Sequence, residues 1–172
     1  MVKFESKTEF KSTLYKEGKR MSNIFGNQKK GLDYKIRKGA YAVIFNPENE
    51  KVLTVQTQSG HYFLPGGGIE KGEGEIECLK REVLEETGYE ISNLFFIGNA
   101  KSYLPQTKKR PMLSDGYFYL ANLADKIQEP TEEDHAIKWI ETERIAELLV
   151  HSHHIWAVQK GIGYKKQEGE DE

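Results

Sequence analysis

Residues 67–89, GGIEKGEGEIECLKREVLEETGY, constrain this chain more than any other stretch. At their centre stands Arg81-Glu82-Val83-Leu84-Glu85-Glu86-Thr87-Gly88. Residues three and four apart share a helix face, so a helix here gathers Glu82, Glu85 and Glu86 into one patch. Like charges at that spacing repel one another and call for a compensating partner. A hard divalent cation is such a partner, because Mg²⁺ takes oxygen ligands from carboxylates and substrate phosphates in near-octahedral geometry. A bare acidic cluster also suits a solvated helix face, so the patch alone does not decide between the two.

The surrounding pattern predicts the elements that would present it. Gly39 to Phe45 (GAYAVIF) is apolar and β-branched and reads as a buried strand. Asn46 to Glu50 is a turn by composition, and Lys51 to Gln58 alternates as a second strand pairing back as a hairpin. His61 to Leu64 is short and stops at Pro65, after which Gly66-Gly67-Gly68 permits a tight turn and close approach to a ligand. A helix is expected from about Gly74 to Thr87, with Ile76, Leu79 and Val83 as its apolar stripe and Gly88 as its C-terminal cap. Strands are expected at 94–98, 116–123 and 136–140, an amphipathic helix at 143–150, and a last helix from His154 to about Lys160 that packs Trp156. Strands with helices between and after them imply an α/β sandwich with a mixed sheet.

Gly67, Glu73, Arg81, Glu82, Glu85, Glu86 and Gly88 together match G-x5-E-x7-R-E-U-x-E-E-x-G-U, where U is apolar. With each residue type near roughly 7% of positions, seven such identities coincide by chance on the order of once in 10⁸ sites. The chain resembles the Nudix hydrolase family in this box. Tyr89 stands where an aliphatic residue is usual and Cys78 where small alanines are common, and neither departure touches a charged position. Outside the box, the strand GYFYLANL, the Trp139 strand and residues 154–158 resemble small bacterial MutT-type members, over roughly residues 25–162.

The resemblance implies a mixed sheet between helices with the box as loop, helix and loop. It also implies cleavage of a nucleoside diphosphate linked to another group, using Mg²⁺ or Mn²⁺. Glu82, Glu85 and Glu86 are then the metal ligands, led by Glu82 and Glu86 one turn apart, with Glu85 or Glu82 as general base. Arg81 and Glu73 would tie loop to helix, while the backbones of Gly66, Gly67 and Gly68 would reach the metal or the phosphates. A further ligand is expected among Glu132, Glu133 and Asp134, with Glu133 preferred. A P-loop is excluded, because Gly72 is followed by Glu73 and not by Lys-Ser/Thr.

Other polar groupings read more plainly. His151, His153 and His154 would need tetrahedral convergence and a fourth ligand to hold zinc, and otherwise form a polar loop. Lys108-Lys109-Arg110 could draw in an anion or lie on a solvated loop. Tyr103, Tyr117 and Tyr119 are candidates for stacking on a base, and strand alternation puts Tyr117 and Tyr119 on one face.

The 172 residues suffice for one domain, taken as 34–164, with 1–33 as an N-terminal extension and 165–172 as a polar tail expected to lack structure. Met21 is a second plausible start. A net charge of −2 argues against a general nucleic-acid partner, no run is apolar enough to span a membrane, and the charged start lacks a signal-peptide core. One cysteine allows no internal disulfide, so a cytoplasmic location is expected. A nucleotide-type small molecule is the expected partner, with a homodimer left open. Two other functions compete with the hydrolase. One is a non-catalytic nucleotide sensor, which could have lost its carboxylates; the other is an RNA 5′-end pyrophosphohydrolase, which would show a broader basic surface.

Overall fold

The computed structural model describes residues 23–104 and 110–171. In chain order these form β1 (Asn23–Phe25), β2 (Lys35–Val43), β3 (Lys51–Thr57), β4 (Tyr62–Phe63), β5 (Gly66–Gly68), α1 (Glu75–Thr87), β6 (Tyr89–Leu104), β7 (Met112–Lys126), β8 (His135–Glu141), a 3-10 turn (Thr142–Arg144), α2 (Ile145–Leu148) and α3 (Ser152–Glu170). A five-stranded mixed sheet runs β1-β6-β7-β2-β5, and a three-stranded antiparallel sheet runs β4-β3-β8. Among the described residues no helix is long and apolar enough to cross a membrane.

β2 shows why its sequence does not alternate. Ala40, Ala42 and Ile44 pack with Leu79 and Val83 of α1, whereas Val43 joins Phe118, Ala157 and Val158 on the α3 side. From Gly39 to Val43 both faces are covered, so this half of the strand is apolar, whereas Lys35–Lys38 are exposed. The two helices thus cover opposite faces of one sheet, which is the α/β/α sandwich expected with a mixed sheet.

The turn after β2 closes as predicted: Asn46 Oδ1 accepts from the N–H groups of Glu50 (2.9 Å) and Lys51 (2.8 Å). The hairpin does not continue. After the Phe45–Val52 bridge, β2 and β3 part into different sheets. The glycine run also differs from expectation: Gly66–Gly68 is not a tight turn but the edge strand β5, antiparallel to Gly39–Tyr41. On α1, Leu79 and Val83 are buried as predicted, while Ile76 is exposed and Cys78 takes a buried place beside them.

Several limits lie elsewhere than the sequence suggested. Asn23–Phe25, assigned to the N-terminal extension, pair in parallel with Ala100–Ser102. The expected 143–150 helix shortens to α2, because Leu149 turns extended to bridge Tyr62 and the Val150 N–H reaches the Tyr62 carbonyl. α3 runs on to Glu170 through the segment expected to lack structure, with Tyr164 edge-on to Phe95 and Lys165 paired to Glu168 at 3.3 Å. The Met21 start and Lys108-Lys109 lie outside the described residues; Arg110 pairs with Asp33.

The histidines of 151–154 do not form a polar loop. His153 and His154 are fully buried, packed against Tyr41 and Phe118. The Leu64 N–H donates to His154 Nδ1 (3.2 Å), which makes Nε2 the protonated nitrogen, and His153 Nε2 lies 3.0 Å from Ser114 Oγ. The remaining nitrogens, His153 Nδ1 and His154 Nε2, are buried without a partner, and neither ring belongs to a group of candidate metal ligands among the described residues. Burial pushes His153 down to about 3 and His154 well below its ordinary value.

Two predictions follow from this packing. Histidine titrates near 6.5 when unfolded, so below that value the unfolded chain binds protons that folded His153 refuses. Stability therefore falls as pH drops from about 6.5 towards 3, with a slope of up to about 1.4 kcal/mol per pH unit for each such group. Melting temperatures across this range should show the slope, and His153→Gln should flatten it. At the C-cap of α1, Gly88 has φ 79°, and a Cβ there would meet the Gln128 carbonyl oxygen. Gly88→Ala should cost about 1–3 kcal/mol, read by chemical denaturation.

Candidate active site

α1 presents its carboxylates because of how its ends are held. The Gly74 N–H donates to Glu77 Oε2 (3.2 Å) at the start, and the Gly88 N–H donates to the Leu84 carbonyl (2.8 Å) at the end. The Gly88 carbonyl then receives the Ile127 and Gln128 N–H groups, and the Glu85 carbonyl receives those of Thr131 (2.8 Å) and Glu132 (3.3 Å). The segment between β7 and β8 is thereby docked on the last turn of α1. It delivers Glu132 and His135 to the helix carboxylates.

Two overlapping groups result. Glu82, Glu85 and Glu132 each offer an oxygen within 4.8 Å of the others, and Glu86, Glu132 and His135 do the same with a ring nitrogen included. His135 Nδ1 lies 2.8 Å from Glu132 Oε2 and 3.1 Å from Glu86 Oε2. Glu86 is only 2% exposed, and its second oxygen accepts the Gly66 N–H at 2.8 Å. Burial holds its carboxyl well above the usual carboxylate range, against the lowering pull of that N–H. Burial also raises Glu82, and the Arg81 hydrogen bond works against the rise. The donors are carboxylate oxygens with one imidazole nitrogen, and Glu132 is common to both groups, so the set fits a divalent cation.

The late carboxylate predicted from sequence was Glu133; of the three candidates, the structure brings Glu132 to the helix carboxylates. Docking of Thr131 and Glu132 on the Glu85 carbonyl turns Glu132 inward, and Glu133 is exposed and in neither group. His135 was missed altogether; its three-residue spacing from Glu132 was the available signal.

β5 lies against this site without side chains. A Cβ on Gly67 would fall 2.6 Å from Glu82 Cδ, so only glycine lets the strand come so close. Gly66 directs its N–H at Glu86, and the Gly68 carbonyl accepts from Arg81 Nη2 at 3.3 Å. Cys78 sits beneath, its Sγ 3.5 Å from the Gly67 and Gly68 carbonyls, and burial pushes its thiol up to about 12.

Arg81 links the parts. Its Nε and Nη2 grip Glu73 Oε2 (2.7 Å) and Oε1 (2.9 Å) in a two-pronged pair, while Nη1 donates to Glu82 Oε1 (2.9 Å) and Glu85 Oε2 (3.3 Å). The guanidinium holds Glu73 down to about 2. Loop, helix and glycine strand thus meet on one cation.

The tyrosines divide. Tyr117 and Tyr119 do share a face, but Tyr119 is buried against the α1 core with its hydroxyl on Glu75, and Tyr117 packs against the same cluster. Tyr103 stacks edge-on with Tyr34 at 4.9 Å.

Lysine keeps the charge of Arg81 but not the planar fork. Arg81→Lys and Arg81→Ala should therefore both lower the melting temperature and weaken Mn²⁺ binding by roughly 10- to 100-fold, the scale seen when a ligand loses its supporting partner. Titration calorimetry reads this; wild-type affinity in Arg81→Lys would show that charge alone suffices.

The description NUDIX domain matches residues 35–158. A putative 8-oxo-dGTP diphosphatase of Bacillus subtilis is 26% identical over 114 residues, 65% of this chain and 71% of that protein. The m7GpppN-mRNA hydrolase of Saccharomyces cerevisiae is 43% identical over 53 residues, 30% of this chain and only 6% of that much longer protein. Among solved structures, a NUDIX hydrolase from Nitrosomonas europaea superposes with a TM-score of 0.63 at 18% identity, covering 76% of this chain and 91% of that one, which speaks to the fold. With the domain match spanning the sheet, the glycine strand and the carboxylate helix, the chain belongs to the Nudix hydrolase family.

Proposed function

We infer that this chain is a pyrophosphohydrolase dependent on Mg²⁺ or Mn²⁺, cleaving a nucleoside diphosphate linked to another moiety by attack of water on phosphorus. The observation that carries this reading is the arrival of Glu132 from outside the box to complete two ligand groups with Glu82, Glu85 and Glu86. Four carboxylates and an imidazole in two overlapping groups suit a cation and the phosphates it brings. When bound, the metal neutralises the diphosphate and lowers the pKa of the attacking water.

The chain's own residues supply the rest. Glu82, Glu86 and Glu132 would hold the cation, Glu132 standing with Glu86 in one group and with Glu82 in the other, and Gly66 orients Glu86 through its N–H. Glu85, the most exposed of the helix trio, or Glu82 takes the proton from the attacking water. The new bond forms between water oxygen and phosphorus, and the bridging P–O bond breaks to release a phosphate-terminated product. Arg81 fixes Glu82 and Glu85 relative to the loop, so its part is positioning. A sensor that has lost catalysis would not need this complete set, which favours the enzyme.

Glu82→Gln and Glu85→Gln should each lower turnover by roughly 10²-fold or more while leaving the melting temperature near that of the wild type. The test is product identification by mass across nucleoside triphosphates, oxidised nucleotides, dinucleotides and nucleotide sugars with Mg²⁺ or Mn²⁺. Failure to cleave any of them with metal bound, or wild-type rates in Glu82→Gln, would overturn the reading.

A further inference from the structure

His135 is the one nitrogen donor in either group of candidate ligands among the described residues. Its place follows from strand geometry. It opens β8 opposite Thr57 of β3, and alternate residues of a strand share a face. Ile137, two residues on, packs against the Leu79 and Val83 cluster of α1, so the same alternation turns the His135 ring towards that helix. The ring there meets Glu86 of the last helical turn and Glu132 of the docked segment.

A single atom makes both contacts. Nδ1 lies 2.8 Å from Glu132 Oε2 and 3.1 Å from Glu86 Oε2, while Glu86 Oε1 is taken by the Gly66 N–H. The His135 side chain is 26% exposed and Glu86 is buried, so the imidazole is the member of this pair open to solvent. A neutral imidazole carries its proton on either nitrogen. With the proton on Nδ1, the ring is a donor bridging two carboxylates. With the proton on Nε2, the Nδ1 lone pair joins the two carboxylate oxygens as a third donor to a cation. The two roles differ in their effect on metal choice. A bridging donor supports hard cations alike, whereas a nitrogen ligand discriminates between them. Mg²⁺ takes oxygen ligands and gives up its waters reluctantly. First-row transition cations accept imidazole, with affinity rising from Mn²⁺ to Co²⁺.

We propose that His135 is itself a metal ligand through Nδ1, and that it gives the Glu86–Glu132 group a preference for transition cations over Mg²⁺. The proposal rests on the metal-dependent reading above and narrows its choice of cation. Ligation keeps the ring neutral: a proton leaves Nδ1 for solvent and another is taken up at Nε2. The nitrogen donor then adds to the affinity for Mn²⁺ and Co²⁺ and adds little for Mg²⁺.

The tests use the full chain with Mg²⁺, Mn²⁺ or Co²⁺ alone and no substrate. By calorimetry the wild type should bind Mn²⁺ at least about tenfold more tightly than Mg²⁺, about 1.4 kcal/mol, and Co²⁺ more tightly again. His135→Gln exchanges the ring nitrogen for an amide, and should weaken Mn²⁺ and Co²⁺ while leaving Mg²⁺ nearly unchanged. Pulsed electron paramagnetic resonance on the Mn²⁺-loaded wild type should show coupling to an imidazole nitrogen, a readout that needs no variant to fold, and His135→Gln should abolish it. No nitrogen coupling in the wild type, the same coupling in His135→Gln, or equal loss of Mg²⁺ and Mn²⁺ affinity in that variant overturns the proposal. Cleavage assays keep the two readings apart. A chain that binds Mn²⁺ through nitrogen and cleaves no nucleotide would remove the hydrolase reading and leave the ligand standing. A chain that cleaves with either metal and shows no nitrogen coupling would do the reverse.

Discussion

Repulsion among carboxylates is the constraint around which this structure is arranged. Glu82, Glu85, Glu86 and Glu132 converge in two overlapping groups, and Glu86 is almost wholly removed from water. Folding alone opposes that arrangement, because burying a charge is costly unless it is paired and hydrogen-bonded. The chain answers with Arg81 bridging Glu73, Glu82 and Glu85, with the Gly66 N–H on Glu86, and with His135 between Glu86 and Glu132. What these partners leave uncompensated is a demand for positive charge, and the grouped donors suit a divalent cation.

The same fold brings backbone where side chains would be in the way. β5 runs beside the carboxylates as three glycines, and at Gly67 even a methyl group would strike Glu82. The strand is held from behind by β2, whose two faces are buried in the two hydrophobic clusters. Site and core are therefore mechanically continuous. The sheet that packs α1 on one face and α3 on the other also sets the distance between the glycine strand and the glutamate helix. The exposed start of β2 lines the same cleft as Glu82 and Gly68.

Local signals were legible where they depend on neighbours in sequence. The bounds of α1, the Gly88 cap and the turn at Asn46 follow from short-range pattern, and the Arg81–Glu73 tie from the resemblance of the box. Signals failed where a distant partner intervened. The β2–β3 hairpin parted because its strands found different sheets, α2 was cut short by the Leu149–Tyr62 bridge, and α3 lengthened because Tyr164 found Phe95. The histidines near 151–154 read as polar by type, yet they fill space among Tyr41 and Phe118 as neutral rings.

By itself the sequence determined the chemistry on offer: three glutamates on one helix face, an arginine to tie them to the preceding loop, and glycines able to lie against them. These depend on helical periodicity and side-chain size, which are local properties. Only the tertiary structure decided that Glu132 rather than Glu133 joins the site, that His135 accompanies it, and that Arg37 rests on Gly68. Each depends on a contact between segments far apart in the chain: the Glu85 carbonyl receiving residues 131 and 132, and β5 pairing with β2. Spacing within a helix can be counted, but which face a distant loop turns inward is set by the hydrogen bonds that dock it.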